Sequence, residues 1–501
     1  MNRYKIVQNI INQIKINYIK FSFLAFFIIG LVIYDDYGVS FDEGSHRGYG
    51  KITFDYLFFN DQAIFTDIHR FYGPSLEFFI TILDYFYFID YWDFEDAFIL
   101  RHFIYFLLFF ASSVSIYLTS KIIFNNKFLA YISFLFYILS PRIFADSFYN
   151  PKDTPFMFLF IFSFYFMLRW FLEPKKLYFL FFFGLFTGLS INARILGSIL
   201  IFLFLVNIIL KKKFSLLKYS PIYIFTSFIV LYITWPYLYQ DPINRFIESY
   251  NVMKSYPMRI DSMFNGNTIS SQKMPWEYVP VWILVTVPVQ YLFFAFLSIK
   301  NLLNFKKVGP EYYLLWLWVL IPVISVIVLN STLYNGWRQL YFIYPAMVLL
   351  FTYGFRDFIN IFKFDAKVIS VVVFVPTLVF MIINHPFQYA YFNFLSGSRA
   401  FEVDYWGLSY KQAYEFILRD SNKKENILVK IHTLNGPPIL NLKFIDSYRI
   451  NLSHQHEHYD YYIFDFFYPI KEMPKEKPYH RISVGGRDLI LIFKKNNSSI
   501  K

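Results

Sequence analysis

The run Ser40-Phe41-Asp42-Glu43-Gly44-Ser45-His46-Arg47-Gly48-Tyr49-Gly50 sets two adjacent carboxylates, a histidine and an arginine just after the first long apolar stretch, which ends near Tyr34. Charge gathered where a membrane helix meets water is usually functional. A carboxylate within hydrogen-bond reach of an incoming hydroxyl can take its proton as a new bond forms. One carboxylate suffices for that task, and the second can orient it. Further polar clusters interrupt the apolar runs downstream. Ser140-Pro141-Arg142 leads to Asn150-Pro151-Lys152-Asp153-Thr154-Pro155, Arg101-His102 open a long apolar run, Arg194 splits another, and Tyr334-Asn335-Gly336-Trp337-Arg338 separates two more. Arginine suits phosphate because its planar fork gives two parallel charge-assisted hydrogen bonds and keeps its proton. Acids and several cations on one face would hold a lipid phosphate, with or without a divalent ion. The competing reading is that the loop acids are simply solvated and each arginine snorkels to head groups.

The elements that must position these residues are membrane helices. The chain has 501 residues, is 56% hydrophobic and only 16% charged, and has a mean hydropathy of +0.40. Soluble proteins carry about a quarter charged residues. The sequence is therefore read as a polytopic membrane protein. Arg3, Lys5, Lys15 and Lys20 precede or enter the first apolar run, and no small-residue cleavage site follows it, so an uncleaved first span with a cytoplasmic N-terminus is expected. The absence of cysteine excludes disulfides, thiolate metal sites and a cysteine nucleophile. Most of the formal charge of +12 sits in short loops between apolar runs, where it sets orientation; nucleic acid is not an expected partner. Phenylalanine (67) and tyrosine (43) are so frequent that aromatic stripes identify no site.

Apolar length and basic flanks place spans near 19–34, 98–119, 128–144, 154–171, 178–191, 195–210, 219–237, 279–298, 313–330, 339–355 and 368–384. That makes about eleven transmembrane helices. The stretch 177–210 is basic at both ends, which predicts two short helices turning at Asn192-Ala193-Arg194. Loops at 120–127, 172–177, 211–218, 299–312 and 356–367 are lysine-rich, whereas 35–97 holds thirteen acids against three bases. The positive-inside rule then puts 35–97 and the C-terminus outside. Within that outer loop, Lys51 to Phe59 and Pro74 to Phe88 are apolar but broken by Asp55, Glu77 and Asp84, and are expected as interfacial helices.

The order of Phe41-Asp42-Glu43 after the first helix, an interfacial helix pair, Arg101 heading the second helix and an Asp153 loop between the third and fourth resembles the GT-C-fold membrane glycosyltransferases. The likeness is greatest to the protein O-mannosyltransferase and aminoarabinose transferase group, which take sugars from polyprenyl-phosphate donors. Ser140 to Pro155, Asn192 to Gly197, Trp235-Pro236-Tyr237, Pro275-Trp276 to Pro280, Asn335 to Pro345 and Asp404-Tyr405-Trp406-Gly407 look like segments of bacterial members. The resemblance covers about the first 410 residues. It implies Asp42 as the catalytic base, Glu43 as its acidic neighbour, Asp153 as the acid that helps to position it, and Arg101 near the donor phosphate. His69-Arg70 precede Tyr72-Gly73-Pro74-Ser75-Leu76, where these families show a Pro-Pro-Leu motif. Here the sequence departs, because Tyr72 and Gly73 replace a lysine and a glutamate that aminoarabinose transferases use for phosphate and metal.

The implied function is inverting transfer of a sugar from a polyprenyl-phosphate donor to a hydroxyl of a glycan, lipid or protein acceptor. It would take place at the outer face of a multi-pass protein of the bacterial cytoplasmic membrane. The catalytic set is Asp42, Glu43 and Asp153; the binding set is Arg101, His102, Lys152, Arg142, Arg194, Arg338, His69 and Arg70. Arg101, at a helix start near water, is expected to be removable without structural harm. A transmembrane glycosyltransferase domain, 1–384, is followed by a small extracytoplasmic α/β domain, 385–501. In the latter, Leu408 to Asp420 has helical periodicity, and Ile427 to Ile431, Tyr461 to Phe467 and Leu489 to Phe493 have strand length. His454, His456 and His458 alternate and would share one side of an extended segment, a pattern usually just solvated. Whether this domain caps the cleft or selects the acceptor stays open, as do two other functions: a transporter or flippase of lipid-linked glycans, and an inactive lipid-sugar-binding relative.

Overall fold

The computed structural model describes residues 2–87, 94–254, 256, 259–303, 308–421, 426–432, 437–445, 448–453, 459–466 and 473–495; His454, His456 and His458 lie outside them. Each apolar run of the sequence is a helix or a bent helix pair. The chain opens with α1 (Asn2–Ile33), which kinks at Asn17, followed by α2 (Phe41–Phe59) and α3 (Ser75–Tyr87). Next come α4 (Phe94–Phe124), α5 (Lys127–Ile138), α6 (Pro141–Tyr149), α7 (Asp153–Leu172), α8 (Leu177–Ala193) and α9 (Ile199–Leu210). They are followed by α10 (Ser220–Thr234), α11 (Pro242–Lys254), α12 (Tyr278–Thr286), α13 (Val289–Ser298), α14 (Pro310–Val328), α15 (Tyr344–Phe362) and α16 (Ala366–Ile383). A hairpin of β1 (Asp261–Phe264) and β2 (Asn267–Ser270) precedes α12.

Among the described residues six helices are long and apolar enough to cross a membrane, or up to eight if each of two bent pairs is one span, against about eleven expected. The protein is a multi-pass membrane protein. Two runs read as straight spans are bent: α5 and α6 meet at 67°, and α12 meets the helix beginning at Val289 at 118°. Proline explains both breaks, since Pro141 and Pro288 cannot donate to the preceding turn and disfavour helix in the residue before them. The predicted hairpin in 177–210 is present, its break falling on Arg194, whose backbone is extended (φ −153°, ψ 135°).

The region read as a loop around Asp42 is the first half of α2. Ser40 and Glu43 have capping-box spacing, and the Glu43 carboxylate accepts the Ser40 N–H at 2.6 Å, which starts the helix ten residues before the expected Lys51. The C-terminal region has α17 (Ser409–Asp420), α18 (Pro437–Phe444) and a five-stranded sheet. Its strands are β3 (Ile427–Ile431), β4 (Ile450–Ser453), β5 (Tyr461–Asp465), β6 (His480–Val484) and β7 (Arg487–Lys494), in the order β4-β3-β5-β7-β6. β3 pairs in parallel with β4 and β5, and β7 runs antiparallel to both β5 and β6.

Two helices form the centre of the bundle. The apolar window of Arg338–Phe362 is 78% buried and that of Asp153–Leu172 is 72%, against 22% for Phe214–Thr234 and for Ala366–Ile383. Phe156 and Phe160 of α7 pack on Phe342 in the 3₁₀ turn leading into α15, with ring centroids 4.7 and 5.0 Å apart. Aromatic packing of this kind fixes the axial register of the two helices. It sets Asp153, the first residue of one, beside Arg338, the first residue of the other.

Candidate active site

Four charged side chains from four elements form a chain. Both oxygens of the fully buried Asp153 carboxylate are engaged: Oδ1 by Arg194, and Oδ2 by Arg338 Nη1 at 2.6 Å and Asn150 Nδ2 at 3.2 Å. Asn150 Oδ1 also receives the backbone N–H groups of Lys152 and Asp153, at 3.1 and 2.8 Å, which holds the turn that starts α7. Arg338 continues to Asp42, its Nη1 lying 3.5 Å from Oδ2. The guanidinium sits among the rings of Trp406 (4.6 Å), Tyr334 (4.8 Å) and Tyr405 (5.3 Å). Stacking and the bond to Asp153 immobilise it.

The two aspartates are therefore unequal. Asp153 is sealed and doubly engaged, whereas the Asp42 side chain is 20% exposed and its arginine contact is long. Burial holds the Asp42 carboxyl above its ordinary value; Arg338 opposes this and Asp153 reinforces it. A carboxylate that is accessible, weakly held and raised in pKa can accept a proton. Arg338 is the side chain that both acids share.

Beside this chain lies a cavity of about 180 Å³ between the start of α9, the end of α14 and α11. Lys152 and Arg194 stand on its wall with Tyr72, and Leu196, Val326, Leu329, Leu333 and Leu340 make much of the remainder. Lys152 Nζ lies 3.1 Å from the centre of the Tyr72 ring. Burial, and then the Arg194 guanidinium, push the Lys152 ammonium well below its ordinary value. An incoming anion would relieve that penalty. His46 also stacks on Tyr72, 5.6 Å away, and burial keeps its imidazole neutral.

The remaining residues from the sequence inventory stand outside this series of contacts, though His69 is near enough to Asp42 to act on its charge. Glu43 is buried, capping α2 and meeting His102 Nε2 at 3.0 Å, so this pair packs α2 against α4 and does not face the cavity. Arg101 is fully buried, with Nη1 2.8 Å from Asp84 and Nε 3.3 Å from Glu77, and is absent from the cavity lining. The expectation that it could be removed harmlessly is thus overturned: it is not near water, and its loss would take the nearest cation from two buried acids, leaving the Tyr105 hydroxyl on Glu77 and the more distant Arg47, at 3.6 Å, by Asp84. Arg142 donates from Nε to the Tyr391 carbonyl at 2.9 Å and lies over Phe392, apart from the cluster. His69 pairs with Asp67 at 3.0 Å, and Arg70 donates to the carbonyls of Thr66 and Asp67.

Gly73 donates to the Asn192 carbonyl at 2.9 Å, and a Cβ there would stand 2.2 Å from the Asn192 side chain. A lysine or glutamate does not fit this backbone. Among the described residues no group of three or more His, Asp or Glu side chains converges on a metal position. Asp42 and Asp153 instead face guanidinium groups, so the acids here do not fit a divalent ion. Glu402 was missed in the sequence: it is buried near Arg338, and burial raises its carboxyl to about 8. It comes from a loop with no periodicity, and no spacing could have marked it.

Residues 97–239 match the family described as dolichyl-phosphate-mannose-protein mannosyltransferase. None of the curated proteins matches this sequence. Among solved structures, ArnT from Cupriavidus metallidurans in the apo state is similar, with TM-score 0.53 and 10% sequence identity over 94% of this chain and 97% of that chain. ArnT of the same organism bound to undecaprenyl phosphate gives TM-score 0.51 with the same identity and coverage. With the apolar helices and the small C-terminal sheet, this likeness establishes that the chain has the GT-C fold of membrane glycosyltransferases.

Proposed function

We propose that the protein is an inverting glycosyltransferase that moves a sugar from a polyprenyl-phosphate donor to an acceptor hydroxyl at the outer face of the membrane. The observation that carries this reading is the series of Asp42, Arg338, Asp153 and Arg194, which links a partly exposed carboxyl raised in pKa to a guanidinium that stands with Lys152 on the wall of an apolar cavity. The acidic balance of 35–97 supports the outward orientation.

In the proposed reaction the donor phosphate meets Lys152 and Arg194 while its isoprenoid follows the apolar wall. The acceptor oxygen attacks the anomeric carbon as its proton passes to Asp42. The bond from that carbon to the phosphate oxygen breaks, and its electron pair stays on the phosphate. Fixed cations that receive the developing charge stabilise the transition state without reorganising. Direct attack from the opposite face inverts the sugar, and a single carboxylate is enough. Arg101, which does not line the cavity, has no part in this scheme; its expected role at the phosphate passes to Lys152 and Arg194.

The test is an assay of purified protein with a panel of polyprenyl-phosphate sugars, with Asp42→Asn alongside. Transfer from one donor, lost in that variant, is the expected result. Equal transfer by both proteins would refute Asp42 as base, and undecaprenyl phosphate binding without any transfer would favour an inactive lipid-binding relative.

A further inference from the structure

The segment that leads to the candidate base, residues 35–41, is bonded along its backbone by the chain beyond residue 400. Lys411 Nζ donates to the carbonyls of Asp35 (2.6 Å) and Asp36 (3.2 Å), and Gln412 Nε2 also reaches the latter (3.2 Å). The Phe41 N–H donates to the Trp406 carbonyl at 3.2 Å. Between these contacts, Asn441 of α18 meets Val39 twice. Its Oδ1 accepts the Val39 N–H at 2.9 Å, and its Nδ2 donates to the Val39 carbonyl at 3.0 Å. The same Nδ2 group reaches the carbonyls of Gly407 (3.1 Å) and Pro437 (2.9 Å). Asn441 is fully buried, and a Cβ on Gly38 would stand 2.4 Å from its Oδ1.

A side-chain amide that bonds both the N–H and the C=O of one residue fixes that residue's orientation as well as its distance. Here the amide also holds Gly407, next to Trp406, whose ring packs on Arg338 at 4.6 Å. One side chain thus ties together the backbone three residues before Asp42 and the backbone that carries the support of Arg338. These two parts set the 3.5 Å separation of Arg338 from Asp42.

Resting on the assignment of Asp42 as base, we propose that Asn441 is a positioning residue for the reaction, which makes the C-terminal region part of the catalytic apparatus. Asn441 touches no substrate in this scheme. It acts by holding Val39 and Gly407.

The experiment compares purified wild-type, Asn441→Ala and Ile439→Ala proteins with an undecaprenyl-phosphate sugar that supports wild-type turnover. Misplacing the base should lower kcat of Asn441→Ala roughly ten- to hundredfold, with donor KM within about threefold because Lys152 and Arg194 are untouched. Ile439, on the exposed side of the same helix, should leave kcat unchanged on replacement. A folded Asn441→Ala protein with wild-type kcat, or a loss confined to donor KM, would overturn the proposal. If that variant does not fold, hydrogen exchange of the wild type decides. Slow exchange at Val39 that is lost together with protection of α18 supports the clamp, and exchange as fast as in exposed loops overturns it. Asp42→Asn in parallel separates the two readings. Retained turnover there removes the base assignment and this proposal with it, whereas an inactive Asp42→Asn beside a fully active Asn441→Ala removes this proposal alone.

Discussion

Two buried clusters of arginine and carboxylate lie in this protein and differ in one respect. Around Arg101, Glu77 and Asp84 are both buried, and the Tyr105 hydroxyl donates to Glu77, so each acid has partners and none lies open to solvent. Around Arg338, Asp153 is equally sealed, but the series ends in Asp42, whose side chain is 20% exposed. The first cluster ties α3 to α4. The second is left incomplete at one end. Buried ion pairs contribute little net stability once desolvation is counted, so one whose acids are all sealed indicates packing and one with an acid open to solvent indicates a site.

The sharpest way to break this contrast is Asp42→Asn. The amide keeps the shape and cannot accept a proton, so turnover should fall by roughly a hundredfold to ten-thousandfold while undecaprenyl phosphate still binds. Equal turnover in a folded variant would dissolve the distinction between the clusters.

Arg101→Ala should do the reverse. Removing one partner of a buried pair costs about 3–5 kcal/mol of stability, which a thermal unfolding scan would register. The molecules that remain folded should keep the donor affinity of the wild type. A stable variant with weakened donor binding would return Arg101 to the phosphate site.

The contrast was not legible in the sequence, where Arg101 and Arg338 both appear as arginines at the head of an apolar run. Glu77 and Asp84, which claim Arg101, lie 24 and 17 residues before it, and no helical period links them. What could be read was set by short-range physics. Apolar length and basic flanks located the apolar helical runs, although among the described residues six to eight of them, against about eleven expected, are long and apolar enough to cross a membrane. The strands at Ile427, Tyr461 and Leu489 followed from their length. Asp42, Asp153, Arg194 and Arg338 were all candidates, and they do converge. Some misses had a local signal: Ser40 and Glu43 mark the start of α2, and Pro141 and Pro288 mark the bends. Others had none. Glu402 and Asn441 reach the site by tertiary contact alone.

A smaller effect is expected at the cavity wall. Lys152→Ala removes one charge-assisted contact to the donor phosphate, and such contacts contribute about 1.5–3 kcal/mol, so affinity for undecaprenyl phosphate should weaken roughly tenfold or more. Glu77→Gln, in the closed cluster, should leave that affinity unchanged. Titration of both variants with undecaprenyl phosphate in nanodiscs makes the comparison, and equal affinities would place the phosphate elsewhere.

The smallest effect is in the pH dependence, where only the open cluster should respond. A base works deprotonated, so turnover is present above the Asp42 pKa and is lost as pH falls through it. Burial puts that acid limb above the ordinary aspartate value of about 3.9. The Arg338 charge lowers the Asp42 pKa and the Asp153 charge raises it. Residual turnover of Asp153→Asn should therefore show its limb at lower pH than the wild type, since a repelling charge is gone and Arg338 is released toward Asp42. Arg338→Gln should move the limb to higher pH. Glu77→Gln should leave it in place, because its charge belongs to the sealed cluster. Measured kcat/KM profiles in which Asp153→Asn and Arg338→Gln shift in the same direction would show that the limb belongs to a group other than Asp42.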